Sequence, residues 1–137
     1  MVQLLLTFLS ETEVTRLVLH PVDKTHVSIL PGSNISDATF IHQGNEASIY
    51  KGKLVQEGLS PEEVVLKCVP TYRLDASYAL KSEFRFYCNK LKNIQGVTVP
   101  KCYGLFRAKK GKTLYLILQH CGKPLEWWFN EIDMDQK

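Results

Sequence analysis

A single helical stripe interrupts a sequence that otherwise alternates like β-strands, and this contrast restricts the possible folds more than any other feature. Apolar side chains recur with helical spacing at Ala79, Leu80, Phe84, Tyr87, Cys88 and Leu91. This spacing predicts one amphipathic helix packed against other elements. We place it at about residues 75–92, with Asp75 or Ser77 as the N-cap and Asn93 or Gly96 as the stop.

Strand patterns lie on both sides of this helix. Residues 39–42, 48–54 and 63–69 are β-rich runs separated by turn sequences, and residues 97–108 and 113–119 form two more. We therefore predict an α+β fold, with a twisted antiparallel sheet of about five strands and one packed helix. Residues 1–36 are predicted as a β-rich amino-terminal extension, 37–124 as the main domain, and 125–137 as a helix start and tail.

Length and charge exclude several classes of protein. A chain of 137 residues is long enough for one hydrophobic core, and a formal charge of +3 gives little reason to expect a nucleic-acid or membrane partner. The chain has no apolar run near the roughly 18 residues of a membrane span, and its apolar start has no basic segment before it. These features predict a cytoplasmic or nuclear protein.

The four cysteines do not have the spacing of a metal site. Cys68, Cys88, Cys102 and Cys121 are separated by 20, 14 and 19 residues, without a CxxC or Cys/His pairing. We interpret them as reduced and mostly buried side chains.

Lys67 is the strongest candidate for a functional residue. It ends the apolar run 64–66, and an ammonium group in a buried strand is costly unless it meets an anion. Glu83 follows sixteen residues later, on the helical stripe between Leu80 and Tyr87, so the two charges are predicted to pair. The alternative places Lys67 at a strand edge, where it reaches water, with Glu83 on the helix flank.

The order of these elements resembles the amino-terminal, nucleotide-binding lobe of the protein-kinase-like fold, over about residues 39–129. In the family's G-x-G-x-x-G-x-V pattern, His42 stands at the first glycine, Gly44 matches the second and Ala47 replaces the third. Ile49 takes the valine position, and Lys67 matches the lysine of the third strand. A plain hairpin turn explains the glycine loop about as well.

The resemblance implies that the chain binds ATP. Lys67 would contact the phosphates and Glu83 would hold Lys67 in place. Gly44 and Ala47 would let the main chain approach the phosphates.

The resemblance also implies an adenine site beside the last strand. Leu118 falls at the gatekeeper position, and the main chain of Gln119 and Cys121 would bond to the adenine edge. The apolar walls would be Ile41, Ile49 and Val65.

The family's catalytic loop and its metal-binding aspartate belong to a second, carboxy-terminal lobe, and only thirteen residues follow Pro124 here. We therefore expect an incomplete phosphotransferase that binds ATP, that holds magnesium only with the missing lobe, and that is not catalytic alone. Trp127, Trp128 and Phe129 would form an apolar surface that this lobe or a protein partner covers.

Two other interpretations remain open. The chain could be a non-catalytic, pseudokinase-like interaction module with weak or no nucleotide binding, whose terminal rings fold back on the domain. It could also be an unrelated α+β domain in which Lys67 and Glu83 do not meet.

Overall fold

The computed structural model of the chain describes residues 3–95, 99–108 and 112–120. These residues form seven strands and one helix. In chain order they are β1 (Leu4–Leu9), β2 (Val14–Pro21), β3 (Asn34–Gln43), β4 (Ser48–Val55), β5 (Glu62–Pro70), α1 (Leu74–Asn89), β6 (Cys102–Ala108) and β7 (Thr113–Gln119).

The seven strands form one closed barrel, in the order β1-β2-β6-β7-β5-β4-β3. Most neighbours pair antiparallel, whereas β1 and β3 pair in parallel and so complete the circle, with Leu5 opposite Asn34 and Leu6 opposite Ile35. Closure gives the strands at both sides of the sheet a hydrogen-bonding partner.

The prediction of an open, five-stranded sheet like that of a kinase lobe is therefore wrong. Strands β3, β4, β5, β7 and β6 are neighbours in that order, but β1 covers the outer edge of β3 and β2 covers that of β6. The predicted amino-terminal extension supplies β1 and β2. The edge strands of a five-stranded sheet would expose unpaired N–H and C=O groups, and β1 and β2 bond to those groups. The sequence did not predict this pairing, because hydrophobic alternation shows that a segment is a strand but not which strand it joins.

Two apolar cores follow from the alternation of side chains along the strands. The first fills the barrel, with Leu4, Leu6, Leu19, Ile35, Leu66, Phe106 and Ile117 among its members. The second lies between the outside of the barrel and α1, with Leu80, Phe84, Tyr87, Leu105, Leu116 and Leu118 among its members. Strands β5 and β7 contribute to both cores, so they are covered on both faces.

The segment between β2 and β3 closes one end of the barrel. The Ser28 N–H donates to the Tyr103 carbonyl oxygen at 3.0 Å, which ties the segment to β6. Ile29 belongs to the interior core and is 5% exposed. Next to it, the Leu30 N–H donates to Oε1 of Gln56 at 2.9 Å. These contacts seal the end of the barrel at which β4 finishes.

The helix predicted near residues 75–92 is confirmed as α1, which runs from Leu74 to Asn89. Its N-cap is Arg73, which makes no side-chain capping bond. The predicted caps Asp75 and Ser77 lie inside the helix, so that prediction is wrong. The described residues contain no helix that is both long and apolar enough to cross a membrane.

The closed barrel predicts that the amino-terminal strands β1 and β2 contribute to the stability of the fold. We expect Leu6→Ala to lower the free energy of unfolding by about 2–5 kcal/mol, because Leu6 is fully buried inside the barrel. Its neighbour Leu5 is 41% exposed, so Leu5→Ala is the matched control and should cost under about 1 kcal/mol. Urea unfolding followed by circular dichroism measures both, and equal, small effects would show that β1 is dispensable.

Candidate functional site

Lys67 and Glu83 form an ion pair between β5 and α1. The Lys67 ammonium donates to both carboxylate oxygens of Glu83, at 3.0 Å to Oε1 and 2.9 Å to Oε2. The side chains are only 7% and 9% exposed. This confirms the predicted contact and contradicts the alternative in which Lys67 reaches water.

The alternation of side chains along β5 determines the direction in which Lys67 points. Leu66 and Cys68 point into the barrel, so Lys67 points outward, beneath α1. Its cross-strand neighbours are Ile49 on β4 and Leu116 on β7, which are 3% and 0% exposed. Lys67 therefore lies among apolar side chains, and Glu83 is the carboxylate that compensates its charge.

The arrangement leaves the ammonium group with binding capacity. Removing two charges from water costs several kcal/mol per ion, and a close pair with good geometry offsets that cost. A lysine ammonium has three N–H donors, and two of them bond to Glu83. Within the part of the chain that the structure describes, no other acceptor bonds to the ammonium group, which leaves one donor for a further acceptor.

Two of the predicted adenine walls, Ile49 and Val65, share the outer face with Lys67, as does the predicted gatekeeper Leu118. Val65 pairs across the strands with Leu118, both with no exposed surface, and Ile49 lies beside Lys67. Ile41 is half-buried, and it lies where the register of β3 against β4 shifts between Phe40 and His42. The structure thus groups Ile49, Val65 and Leu118 on one surface, with Ile41 on the adjoining strand.

The glycine turn is closed by its own hydrogen bonds. The Gly44 N–H donates to the Ala47 carbonyl oxygen at 2.9 Å, and Nε2 of Gln43 donates to the Gly44 carbonyl oxygen at 3.1 Å. Ala47 packs against the apolar core beneath α1. In this conformation the turn has the geometry of an ordinary hairpin, and the Gly44 amide bonds within the turn.

The predicted hinge is also bonded within the protein. The Gln119 N–H donates to the Lys101 carbonyl oxygen at 2.8 Å, and Oε1 of Gln119 accepts from the Lys101 N–H at 3.2 Å. This amide is therefore not available to an adenine in this conformation. Cys121, the other predicted hinge contact, lies outside the described residues, as do Trp127, Trp128 and Phe129.

A second charged group lies on the same face and was not identified from the sequence. Nζ of Lys51 lies 3.3 Å from Oε2 of Glu63, and Nδ1 of His120 lies 3.5 Å from the same oxygen. Lys51 pairs across the strands with Val65, which places it beside the predicted adenine walls. Ile49 and Lys51 are two residues apart on β4, so the sequence indicates that they share a face. The proximity of His120 to Glu63 depends on which strands pair, and the sequence does not indicate it.

Two of the three described cysteines are buried, as their interpretation as small apolar side chains predicts. Cys68, Cys88 and Cys102 form no disulfide, and Cys68 and Cys102 are buried. Burial raises the pKa of the Cys102 thiol to about 12, so this thiol is protonated at neutral pH. Among the described residues, no group of three or more His, Cys, Asp or Glu side chains is placed to hold a metal ion.

Comparison with known proteins gave no relative: no protein-family model, curated protein or solved structure matches the chain.

The ion pair predicts a large difference between single and double substitutions. We expect Lys67→Met to lower the free energy of unfolding by about 3–5 kcal/mol, because it leaves the Glu83 carboxylate buried without its partner. The double variant Lys67→Met/Glu83→Met removes both charges and should recover most of that loss.

Lys51→Met is the matched control, since Lys51 also pairs with a glutamate but its side chain is 38% exposed. It should change the free energy of unfolding by under about 1 kcal/mol. Urea unfolding of the four proteins provides the comparison, and a double variant no more stable than Lys67→Met would show that the two charges are not coupled.

Proposed function

We propose that this chain binds ATP on the outer face of the barrel, with Lys67 contacting the phosphates, as part of a protein-kinase-like phosphotransferase. The observation that carries the proposal is the buried ion pair, in which Glu83 holds the ammonium group by two bonds and leaves one donor for a phosphate oxygen. The proposal rests on this site and not on the architecture of the sheet.

The energetics of the pair support a role in binding. A buried ion pair seldom stabilises a protein more than apolar side chains of the same size would. Strongly desolvated, paired charges are frequent at functional sites. A pair already fixed in position also binds an anion without a further loss of side-chain freedom, which favours affinity.

The apolar side chains beside the pair would be the walls for a purine as the other part of the ligand, and the site has to open for that contact, because Ile49, Val65 and Leu118 are at most 3% exposed in this conformation. Val65 and Leu118 are adjacent across β5 and β7, and Ile49 adjoins Lys67. Nucleotide sites combine such apolar walls with a few well-placed polar groups. Lys51 lies at the edge of the same face, and its charge is paired with that of Glu63.

The proposed function of this chain is to bind ATP, and not to transfer a phosphoryl group alone. Phosphoryl transfer also needs a base for the acceptor and carboxylates for the metal ions. We assign those groups to a second lobe, which would meet this chain near Trp127, Trp128 and Phe129 and supply the magnesium ligands.

A second candidate function is that of a non-catalytic interaction module. Around the start of α1, Tyr72 is 80% exposed, Leu74 is 78% exposed and Tyr78 is 66% exposed. Neighbouring exposed apolar side chains of this size often mark a protein–protein interface. This function predicts weak or no binding of ATP.

The two functions are distinguished by calorimetric titration of the protein with ATP and with adenosine. If Lys67 contacts phosphate, ATP should bind more tightly than adenosine, and removal of this charged hydrogen bond should weaken ATP binding by about 10- to 150-fold. Lys67→Met/Glu83→Met tests this without leaving an unpaired buried charge, and Glu83→Ala should weaken ATP binding less than loss of the lysine does.

Lys51→Met controls for general loss of positive charge on this face, and it should retain most of the affinity. An ATP affinity that is unchanged in Lys67→Met/Glu83→Met would disprove the role of Lys67. If the unaltered protein binds no ATP, the interaction module becomes the preferred function.

A further inference from the structure

The barrel interior opens to solvent at one end through a cavity of about 490 Å³. It lies at the end opposite to the segment that contains Ile29, where β1, β3 and β5 finish and β2, β4 and β7 begin. Its lining comprises Phe8, Leu9, Ser10, Glu13, Thr15, Leu17, Ala38, Phe40, Ser48, Tyr50, Cys68, Pro70, Thr113 and Tyr115. This volume is within the range of sites for small molecules.

Aromatic rings form much of the cavity wall. The ring of Phe8 meets that of Tyr50 edge-to-face with centroids 4.9 Å apart, and it lies 6.3 Å from the ring of Tyr115. Phe40 contacts Tyr50 from the rim, at 5.6 Å and again edge-to-face. Such rings offer both faces and edges to an apolar or aromatic ligand.

The inner part of this cavity is uncharged at neutral pH. Burial raises the pKa of the thiol of Cys68, and it also raises the pKa values of the phenols of Tyr50 and Tyr115, so all three groups are protonated. Of the described residues in the lining, Glu13 is the charged one, and it is exposed at the rim. A charged ligand group would lose its hydration on entering without meeting a compensating charge.

We infer that the barrel mouth is a second binding site, which takes an uncharged small molecule with an aromatic body of one or two rings. The rings of Phe8, Tyr50 and Tyr115 would pack on the aromatic body. Thr15 and Ser48 also line the cavity. The Ser48 hydroxyl donates to Oε1 of Gln43 at 2.7 Å, so its oxygen would meet a polar edge of the ligand as an acceptor.

This site is independent of the proposed nucleotide site. Cys68 faces the cavity, whereas the preceding residue, Lys67, faces the opposite side of the same strand. The two ligands would therefore lie on opposite sides of the barrel wall, and either site can fail without the other.

The test uses three probes with the same ring system: 2-naphthol, 2-naphthoate and 2-naphthylmethylammonium, each titrated into the full chain at pH 7. We expect 2-naphthol to bind saturably with a Kd below about 1 mM, and both charged probes to bind at least about tenfold more weakly. Nuclear Overhauser contacts from 2-naphthol should reach the rings of Phe8 and Tyr115.

A matched pair of substitutions locates the binding. Thr15 lies opposite Phe8 and lines the cavity, so Thr15→Trp should fill the mouth and weaken 2-naphthol binding at least about tenfold. Thr7, on the same strand as Phe8 but outside the lining, provides the control Thr7→Trp, which should leave the affinity unchanged. Both variants should retain the circular dichroism spectrum and the ATP affinity of the unaltered chain.

The inference is overturned if 2-naphthol does not bind, if either charged probe binds as tightly, or if the contacts map away from Phe8 and Tyr115. Because the wild-type contacts are read directly, a Thr15→Trp protein that fails to fold does not prevent a decision.

Discussion

The organisation of this protein depends on β5, a strand that is covered on both faces. Val64, Leu66 and Cys68 belong to the barrel core, and the intervening Val65, Lys67 and Val69 face outward. Because successive side chains on a strand point to opposite sides, one nine-residue segment takes part in both the barrel interior and the surface beneath α1. A shift of one residue in its register would bring Lys67 into the barrel and break both cores.

The ion pair depends on this placement. The Lys67 residue as a whole is 6% exposed, and a charge can be buried this deeply because Glu83 reaches it from α1 with two hydrogen bonds. The helix in turn is held by Leu80, Phe84 and Tyr87, which lie on the barrel wall. The packing of the helix therefore fixes the geometry of the charged groups, and a change in either core would alter the candidate site.

Much of this site was accessible from the sequence. The partners Lys67 and Glu83 were identified because a charge in an apolar strand and a carboxylate on an apolar helical stripe each require compensation. Ile49, Val65 and Leu118 were assigned through a resemblance, and strand alternation places the first two on the face of Lys67. The aromatic cavity was not predicted, because Phe8, Tyr50 and Tyr115 come from three segments that alternate in the same way as any other strands.

The sequence by itself determined the local structure: the strands after residue 36, the single helix, and the charged pair that links them. Only the tertiary structure decided that residues 4–21 join the sheet, that β1 pairs in parallel with β3, and that a closed barrel results. The physical reason lies in the range of the interactions. Side-chain periodicity is a property of neighbouring residues, whereas backbone hydrogen bonds between strands can be made by any segment with a free edge, and the sum of all the contacts selects the partner.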